Sequence, residues 1–468
     1  MTRPKSPAAT LAVLSVAQFL IALDYSIIYI ALPSIATELS LEPALAQWVI
    51  SAYAVLFAGF LVVGGRLTDR LGAKRLFVAA IIGFGLASAA GGIAHDGTVL
   101  LAARGAQGLF AALLQPAVIG LIGTTFAAGP ARSRALAVWG SVGASGLAAG
   151  AILGGVLTSA SWRLTFLVNI PLTLLAALGA IIWIHTPSSP IASRVPLIAS
   201  ALGTATVLAL VIGLTLGTDH PTAAAVSLVL AVALFATFVR NESRSRNALI
   251  ERALRNTKSL KIGAAATALY MASVGSEFYV LTLLLQSQKA YTPLQAGLAF
   301  LPLAVLVTIG NTAAERSVRR YGSAVVLAAG FTIAAAGLLW LAVALEGSYA
   351  GSLLPGLLLS GFGHGIIYTC MFIIGTHDVR QEQQGTAGAL LTTSQYLAGA
   401  LTIAVLTLVL TDSPGPTEFR TAFLLTTAAA AAGALLALRR YLVVADDEVA
   451  TDLLPDPQHL IEQERCPK

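Results

Sequence analysis

Long apolar segments recur along the whole chain and constrain its fold more than any other feature. About fourteen of them reach roughly twenty residues, the length that an α-helix needs to cross a bilayer. Of the 468 residues, 57% are hydrophobic and only 11% are charged, which is more apolar surface than a soluble domain can bury. Because the segments lack the short alternating pattern of β-barrel strands, the sequence predicts an all-α polytopic membrane protein.

The distribution of Lys and Arg among the loops predicts the topology. With the N-terminus in the cytoplasm, about 22 of these residues fall on the inner side and about 3 on the outer side. One span more or fewer would reverse every later loop and destroy this asymmetry. We therefore expect about 14 transmembrane helices, one of them at 135–158, with both termini cytoplasmic. Because the basic residues lie in short loops, the net charge of +6 indicates topology and not nucleic-acid binding.

Loop composition also suggests a division of the chain. Basic loops that end in glycine follow the second span, at 64–75, and the tenth, at 315–322, a weak internal repeat of the kind found in transporters. We interpret the basic connector as a topology determinant or interfacial helix, and alternatively as a contact for nucleic acid or a regulator. The predicted parts are an N-terminal six-helix bundle (1–194), inserted helices 7 and 8 (195–240), a basic cytoplasmic connector (241–261), a C-terminal six-helix bundle (262–444) and a disordered acidic tail (445–468).

The loop GRLTDRLGAKR, at 65–75, is the most specific local pattern. Gly65 and Gly72 allow close backbone approach and a tight turn, and Asp69 can face a helix N-terminus, where a carboxylate is favoured. An ordinary positive loop would explain the charges but not the spacing of Gly and Asp. The loop resembles motif A of the major facilitator superfamily, which serves conformational change. The residues concerned are Gly65, Asp69, Arg70, Gly72, Lys74 and Arg75.

Two later segments resemble other motifs of that superfamily. LLAARGAQGLFAALLQPA resembles motif B; it places Arg104, Gln107 and Gln115 on one helix face, and Arg104 should face the interior because an arginine in lipid is costly. GLAAGAILGG, at 146–155, resembles motif C, the antiporter motif, whose glycines allow close helix packing. Ala151 stands where the motif has proline, which leaves symport and uniport open. The motif C glycines are Gly146, Gly150, Gly154 and Gly155.

The segments LDYSIIYIALPSIA, QWVISAYAVL and WRLTFLVNIP resemble the fourteen-helix drug:proton antiporter family, the exporters of multiple drugs and quaternary ammonium compounds. The resemblance implies the major facilitator fold, two six-helix bundles plus two extra helices, in the cytoplasmic (inner) membrane of a bacterium. It also implies export of amphipathic, cationic drugs or toxic small molecules by alternating access. The proton gradient would drive export, without cofactor or metal. We expect the small amphipathic substrate, protons and the lipid bilayer as partners, no nucleic acid, and a monomer.

Other functions are open to different degrees. The chain could instead export a lipid or an endogenous metabolite, or be a sensor that transports nothing. No G-x-x-x-x-G-K-[ST] loop is present, so ATP drive is not expected, and no H-E-x-x-H pair indicates an intramembrane enzyme.

Ionisable residues inside the spans are the candidate functional residues. A charge such as that of Asp24 costs about 2.5–3.5 kcal/mol at a helix centre, so we expect it to have a use. The resemblance gives Asp24 a role in proton coupling; the alternative is a purely structural pair with Arg104. Glu277 either binds protons or substrate, or lies near the outer surface in solvent, and His364 lines the cavity or is a packing residue. The predicted proton-coupling residues are Asp24, Glu277 and Arg104; the predicted cavity residues are Tyr25, Tyr29, Gln107, Gln115, Tyr270, His364, Tyr368, Gln395 and Tyr396. Tyr29 stands where the family more often has asparagine.

Overall fold

The computed structural model describes residues 6–127, 130–184, 197–216, 220–245, 252–379, 383–410 and 414–452. Within these ranges the regular structure is helical, and thirteen helices are long and apolar enough to cross a membrane. The span predicted at 135–158 lies in a further helix of 31 residues, Pro130–Ala160, whose second part, Ala149–Ala160, is apolar. The predicted all-α membrane fold is confirmed.

We number the long helices in chain order. The first eight are α1 (Pro7–Glu38), α2 (Trp48–Leu71), α3 (Ala73–Gly92), α4 (Gly97–Thr125), α5 (Pro130–Ala160), α6 (Arg163–Trp183, interrupted at Val168), α7 (Leu197–Thr215) and α8 (Pro221–Arg244). The remaining six are α9 (Lys258–Leu283), α10 (Leu301–Tyr321), α11 (Ser323–Val343), α12 (Leu354–Thr376), α13 (Gln384–Val409) and α14 (Pro416–Asp452). Short helices lie at Pro43–Ala46, Arg252–Asn256 and Pro293–Ala299, and π-helical turns at Leu284–Gln288 and Tyr349–Leu353.

The two basic loops of the predicted internal repeat end their helices in the same way. Gly72 follows α2 with a φ of 87°, and Gly322 follows α10 with a φ of 79°. Side chains with a Cβ rarely adopt this left-handed conformation, so glycine is needed at both turns. The two loops therefore correspond in conformation as well as in composition.

Two helix ends differ from the sequence expectations. Helix α1 continues past Pro33 to Glu38, because a membrane helix tolerates an internal proline when its neighbours satisfy the freed backbone groups. Helix α14 continues through Asp452, so the first part of the predicted disordered tail is helical. The tail contains no proline before Pro455 that would end the helix earlier. Residues 453–468, and residues 246–251 of the predicted connector, lie outside the described ranges.

Helix α7, of the inserted pair, packs against both halves of the molecule. It contacts α2 of the N-terminal half and α13 of the C-terminal half through a small apolar cluster. Helix α8 packs on α7 and leaves Val226, Val229 and Val232 about two-thirds exposed, as expected for a lipid-facing surface. The cluster consists of Ala54, Val55, Val211, Ala400 and Ala404.

The two halves also meet at the ends predicted to face outward. Helix α5 packs there on the short helix Pro293–Ala299 so closely that a Cβ at Gly297 would lie 2.4 Å from the carbonyl oxygen of Ala151. The amide of Gln286, in the π-helical turn after α9, donates a hydrogen bond of 2.9 Å to the carbonyl oxygen of Ile30 in α1. The bundles are thus in contact at this end.

Candidate functional site

Asp24 lies in α1 at the centre of a buried polar cluster of the N-terminal half and is only 1% exposed. Its Oδ2 lies 2.7 Å from Nη1 of Arg104 in α4. Its Oδ1 accepts hydrogen bonds from the amide of Gln107, at 2.9 Å, and from the amide of Asn169 in α6, at 2.8 Å. Both oxygens of the carboxylate therefore face donors, and one of these donors carries a positive charge.

Arg104 is as enclosed as its partner, at 1% exposure. Its Nε donates to the carbonyl oxygen of Val49 in α2 at 2.8 Å, and Nη1 also donates to Oε1 of Gln107 at 2.8 Å. The guanidinium carbon lies 4.6 Å from the ring centre of Tyr53, a distance at which a cation is attracted by the ring. The cluster thus joins α1, α2, α4 and α6, and the predicted pairing of Asp24 with Arg104 is present.

An aromatic cluster lies next to this ion pair, where α1 and α2 face α13. Tyr25 donates or accepts a hydrogen bond of 2.8 Å with the hydroxyl of Tyr29, and its ring centre is 5.0 Å from that of Tyr396. The ring of Phe57 lies 4.5 Å from Tyr396 and stacks on Tyr53 at 5.8 Å. Three predicted cavity residues, Tyr25, Tyr29 and Tyr396, therefore come together between the two halves.

Helix α9 closes the aromatic cluster from the C-terminal half. The sulfur of Met271 lies 3.9 Å from the hydroxyl of Tyr25 and 3.9 Å from the amide of Gln395. About two helical turns further along α9, the ring centre of Phe278 is 6.1 Å from that of Tyr29. Gln395, one of the predicted cavity residues, is therefore beside the aromatic cluster.

A second buried carboxyl group lies in the C-terminal half, between α9 and α12. Glu277 is 0% exposed, so the alternative of a solvated position near the outer surface is wrong. Its Oε1 accepts a hydrogen bond of 2.6 Å from Ser360, and its Oε2 lies 3.3 Å from Nδ1 of His364. The ring of Tyr270 stands edge-on to that of His364, with 5.8 Å between the ring centres. The ring centre of the partly exposed Tyr368 is also 5.8 Å from that of Tyr270. The predicted residues of α9 and α12 thus form one cluster.

The two predicted cavity residues of α4 are in different surroundings. Gln107 hydrogen-bonds Asp24 and Ser88 and belongs to the ion-pair cluster. Gln115 lies about two helical turns further along α4, and its buried Oε1 has no hydrogen-bond partner among the described residues. One helix face therefore contributes to two separate regions.

Motif A is partly as expected. The backbone at Gly72 makes the tight turn, but close approach occurs at Gly64, where a Cβ would lie 2.3 Å from the carbonyl oxygen of Ala112 in α4. The expectation for Gly65 is wrong, since nothing lies within 4 Å of a Cβ built there, because this residue points to the other side of α2. The side chain of Asp69 lies outside the described part of the chain.

The motif C glycines lie where helices touch. A Cβ at Gly150 would lie 2.8 Å from the carbonyl oxygen of Leu23, in the turn of α1 that carries Asp24. Gly146 and Gly154 face α1 in the same way. A Cβ at Gly155 would lie 2.7 Å from the carbonyl oxygen of Pro293. The predicted close packing of this segment is confirmed, and it includes contact with the C-terminal half.

Several residues of the two clusters were missed by sequence reasoning. Asn169 and Ser88 complete the surroundings of Asp24, and Ser360 those of Glu277. All three are small polar residues inside apolar segments, which is the one signal that could have pointed to them. Ser273, by contrast, was expected to share a helix face with Tyr270 and Glu277, and it does so beside His364. In the described ranges, no three His, Cys, Asp or Glu side chains come together as a metal site.

Comparison with known proteins identifies the family. The family model described as Major Facilitator Superfamily matches residues 14–403. The puromycin resistance protein pur8 of Streptomyces alboniger is 34% identical over 417 residues, which cover 86% of this chain and 82% of that protein. The cephamycin export protein CmcT of Amycolatopsis lactamdurans is 35% identical over 415 residues, which cover 86% of this chain and 85% of that protein.

A solved structure supports the same assignment at the level of the fold. The inward open conformation of the xylose transporter XylE from E. coli matches with a TM-score of 0.65 at 14% identity, over 92% of this chain and 96% of that one. The predicted resemblance is therefore confirmed by a model that matches most of the chain and by relatives named for resistance and export. The chain belongs to the Major Facilitator Superfamily and is a multi-pass membrane transporter of small molecules, not an enzyme.

Proposed function

We propose that this transporter is a proton-coupled antiporter of the bacterial cytoplasmic membrane that exports amphipathic, cationic drugs or toxic small molecules by alternating access. The observation that carries the proposal is the buried Asp24–Arg104 pair directly beside the aromatic cluster. Relatives named for puromycin resistance and cephamycin export support the export of antibiotics. The transporter acts as a monomer in the lipid bilayer, and the proton gradient drives it without a cofactor.

The aromatic cluster offers a cationic substrate the faces of several rings. Tyr25, Tyr53, Phe57 and Tyr396 form a closed series between α1, α2 and α13, in which the centres of successive rings lie 4.5–6.2 Å apart. Ring faces attract a cation, by about 0.5–2 kcal/mol each once water is excluded. Because these helices belong to both halves, a molecule held among the rings would be exposed to either side as the halves change their contacts.

The ion pair can make proton and cation compete. With Asp24 ionised and paired to Arg104, the cluster has no net charge, and a cation beside Tyr53 meets little repulsion. When a proton neutralises Asp24, the charge of Arg104 remains alone and repels the cation. Proton binding and substrate binding then weaken each other by the same factor, which is the thermodynamic condition for antiport.

The test is transport by purified protein in liposomes with an imposed pH gradient. We expect the gradient to drive uphill movement of the cationic dye ethidium, and of an uncharged dye of similar size much less. Asp24→Asn combined with Arg104→Gln removes the pair without leaving a buried charge, and this variant should lose gradient-driven movement. No gradient-driven movement of either dye by the unchanged protein would contradict the proposal.

The matched control is Glu38→Gln. Glu38, at the end of α1, also pairs with an arginine, Arg163 of α6, but its side chain is 50% exposed. We expect this variant to transport ethidium like the unchanged protein. Equal loss in the control and in the double variant would mean that any broken carboxylate–arginine pair stops transport, and would contradict the role of Asp24.

A further inference from the structure

Glu277 and His364 form a buried pair of titratable side chains that is separate from the Asp24 cluster. They lie on α9 and α12, both at 0% exposure, with Oε2 of Glu277 at 3.3 Å from Nδ1 of His364. Neither of these two atoms has a hydrogen-bond partner elsewhere in the described part of the chain. Among the described residues, each of these two atoms therefore has only the other as a possible hydrogen-bond partner.

The neighbouring serines determine where the hydrogens are. The hydroxyl of Ser273 donates to the carbonyl oxygen of Tyr270 at 2.8 Å, so its oxygen is left to accept from Nε2 of His364 at 3.3 Å. This assigns the hydrogen of the neutral imidazole to Nε2 and leaves a lone pair on Nδ1. Ser360 donates to Oε1 of Glu277 at 2.6 Å, so Oε2 remains the free oxygen of the carboxyl group.

Two lone pairs at this distance repel each other unless one proton lies between them. The proton can sit on Oε2 and bond to Nδ1, or sit on Nδ1 and bond to Oε2, and in both cases the pair has no net charge. We propose that Glu277 and His364 jointly form a second proton-binding site, in the C-terminal half, which takes up and releases one proton in each transport cycle. This inference rests on the proton-coupled antiport proposed above.

Within the part of the chain that the structure describes, no other ionised group is positioned to replace this proton. Helices α11 and α13 contain no charged residue, and the titratable groups around the pair include the tyrosines Tyr270, in contact with His364, and Tyr25, Tyr368 and Tyr396 beyond it. The remaining charges of the neighbouring helices lie toward their ends: Lys258 and Lys261 on α9, Glu315, Arg316, Arg319 and Arg320 on α10, and Glu418, Arg420, Arg439, Arg440, Asp446, Asp447, Glu448 and Asp452 on α14.

The same turns of α9 connect this site to the aromatic cluster. Tyr270, Ser273 and Glu277 face α12, whereas Met271 and Phe278 face Tyr25 and Tyr29 of α1. A substrate that displaces the rings of the cluster would move α9 and change the separation of Glu277 and His364. The proton between them would then be released or bound as the substrate binds or leaves.

Glu277→Gln is the sharpest test, because the amide fits the same surroundings. Its oxygen can accept from Ser360 and its N–H can donate to Nδ1 of His364, so no polar atom is orphaned. With two proton sites, export of one monovalent cation brings in two protons, so one net positive charge moves inward. With one proton site, one proton enters for each cation exported, and no net charge moves. We therefore expect a membrane potential alone to drive ethidium uphill in the unchanged protein and not in Glu277→Gln, whereas a pH gradient drives both.

The outcomes separate the two proposals. If the unchanged protein moves no dye under either gradient, the proposed antiport fails. If the unchanged protein responds to the membrane potential and Glu277→Gln responds equally, the antiport stands and the second proton site is overturned. His364→Gln should weaken the response to the membrane potential, because without the imidazole the carboxyl group of Glu277 holds its proton over a different pH range.

An infrared titration tests the site without transport. A protonated carboxyl group has a carbonyl stretching band that disappears when the proton leaves, so with two proton sites we expect one such band from Asp24 and a second from Glu277. Glu277→Gln should lose the second band, His364→Gln should shift the pH at which it disappears, and Glu38→Gln should leave both bands unchanged. If Glu277→Gln loses no band and His364→Gln shifts none, the proposal is overturned.

Discussion

The two buried carboxyl groups, one in each half, have surroundings of opposite kinds. Around Asp24 every polar neighbour is a donor: the guanidinium of Arg104 and the amides of Gln107 and Asn169. Around Glu277 one neighbour, Ser360, is a donor, and the other, Nδ1 of His364, can act as donor or acceptor. The difference indicates two different responses to a proton. At Asp24 a proton would break the ion pair and leave the charge of Arg104 uncompensated, whereas at Glu277 it would be shared with His364.

The largest effect that we expect is the loss of stability in Asp24→Asn. The new amide keeps one acceptor oxygen but sets its N–H groups against a donor, either the amides of Gln107 and Asn169 or the guanidinium, and leaves Arg104 buried without a counter-charge. Removing one partner of a buried pair costs about 3–5 kcal/mol. Unfolding in mixed micelles measures this, and the combined Asp24→Asn and Arg104→Gln variant should recover much of the loss. A single variant as stable as the unchanged protein would break the comparison.

Asn169→Ala should have an intermediate effect. It removes one of the two amide donors of Asp24 Oδ1 while the ion pair remains. A buried acceptor that loses a hydrogen bond costs about 1–3 kcal/mol. The same unfolding measurement, with Asn241→Ala at the end of α8 as the control, tests this. A loss no larger than that of the control would mean that Asn169 does not support the carboxylate.

Glu277→Gln should cost less, about 0.5–1.5 kcal/mol, the range for exchanging one hydrogen bond for a similar one. Its amide reproduces the bonds to Ser360 and His364, in contrast to the amide of Asp24→Asn. A stability loss in Glu277→Gln as large as in Asp24→Asn, measured by the same unfolding titration, would show that the two sites do not differ as their donors suggest.

Glu38→Gln should have the smallest effect. Glu38 accepts from Trp162 at 2.8 Å and pairs with Arg163, but the pair is open to solvent. Exposed ion pairs contribute about 0.2–1 kcal/mol and are screened by salt. The measured loss should shrink as the salt concentration rises, whereas the loss in Asp24→Asn should not. A salt-independent loss would indicate that the pair is less accessible than the structure shows.

The sequence predicted much of the fold, because apolar length and loop charge are local properties. The apolar pattern predicts the first span at 8–32, and the helix Pro7–Glu38 agrees with it at the N-terminal end and continues beyond it at the C-terminal end. Hydropathy cannot place that end, because the proline at position 33 is tolerated only through neighbouring helices. The turn at Gly72 was predictable, since its glycine has a conformational reason.

The candidate site was predictable residue by residue and less so in its pairings. Asp24 and Arg104 could be paired because each needs an opposite charge inside the membrane. Glu277 and His364 were each singled out, but joining them requires the register of α9 against α12. That register depends on packing details such as the contact of Gly263 in α9 with the backbone of Gly375 in α12, which no local pattern reveals.

The position of α7 has a mechanical consequence. Its buried contacts with α2 and α13 involve Ala54, Val55, Val211, Ala400 and Ala404, and larger side chains, among them Trp48, Leu208, Tyr396 and Leu401, pack around them. Any relative movement of the two halves must shift at least one of these surfaces along α7. Because the small side chains at the centre interlock weakly, the larger side chains around them are the ones that must repack. Helix α7 thus limits the relative movement of the halves to what these larger side chains can accommodate.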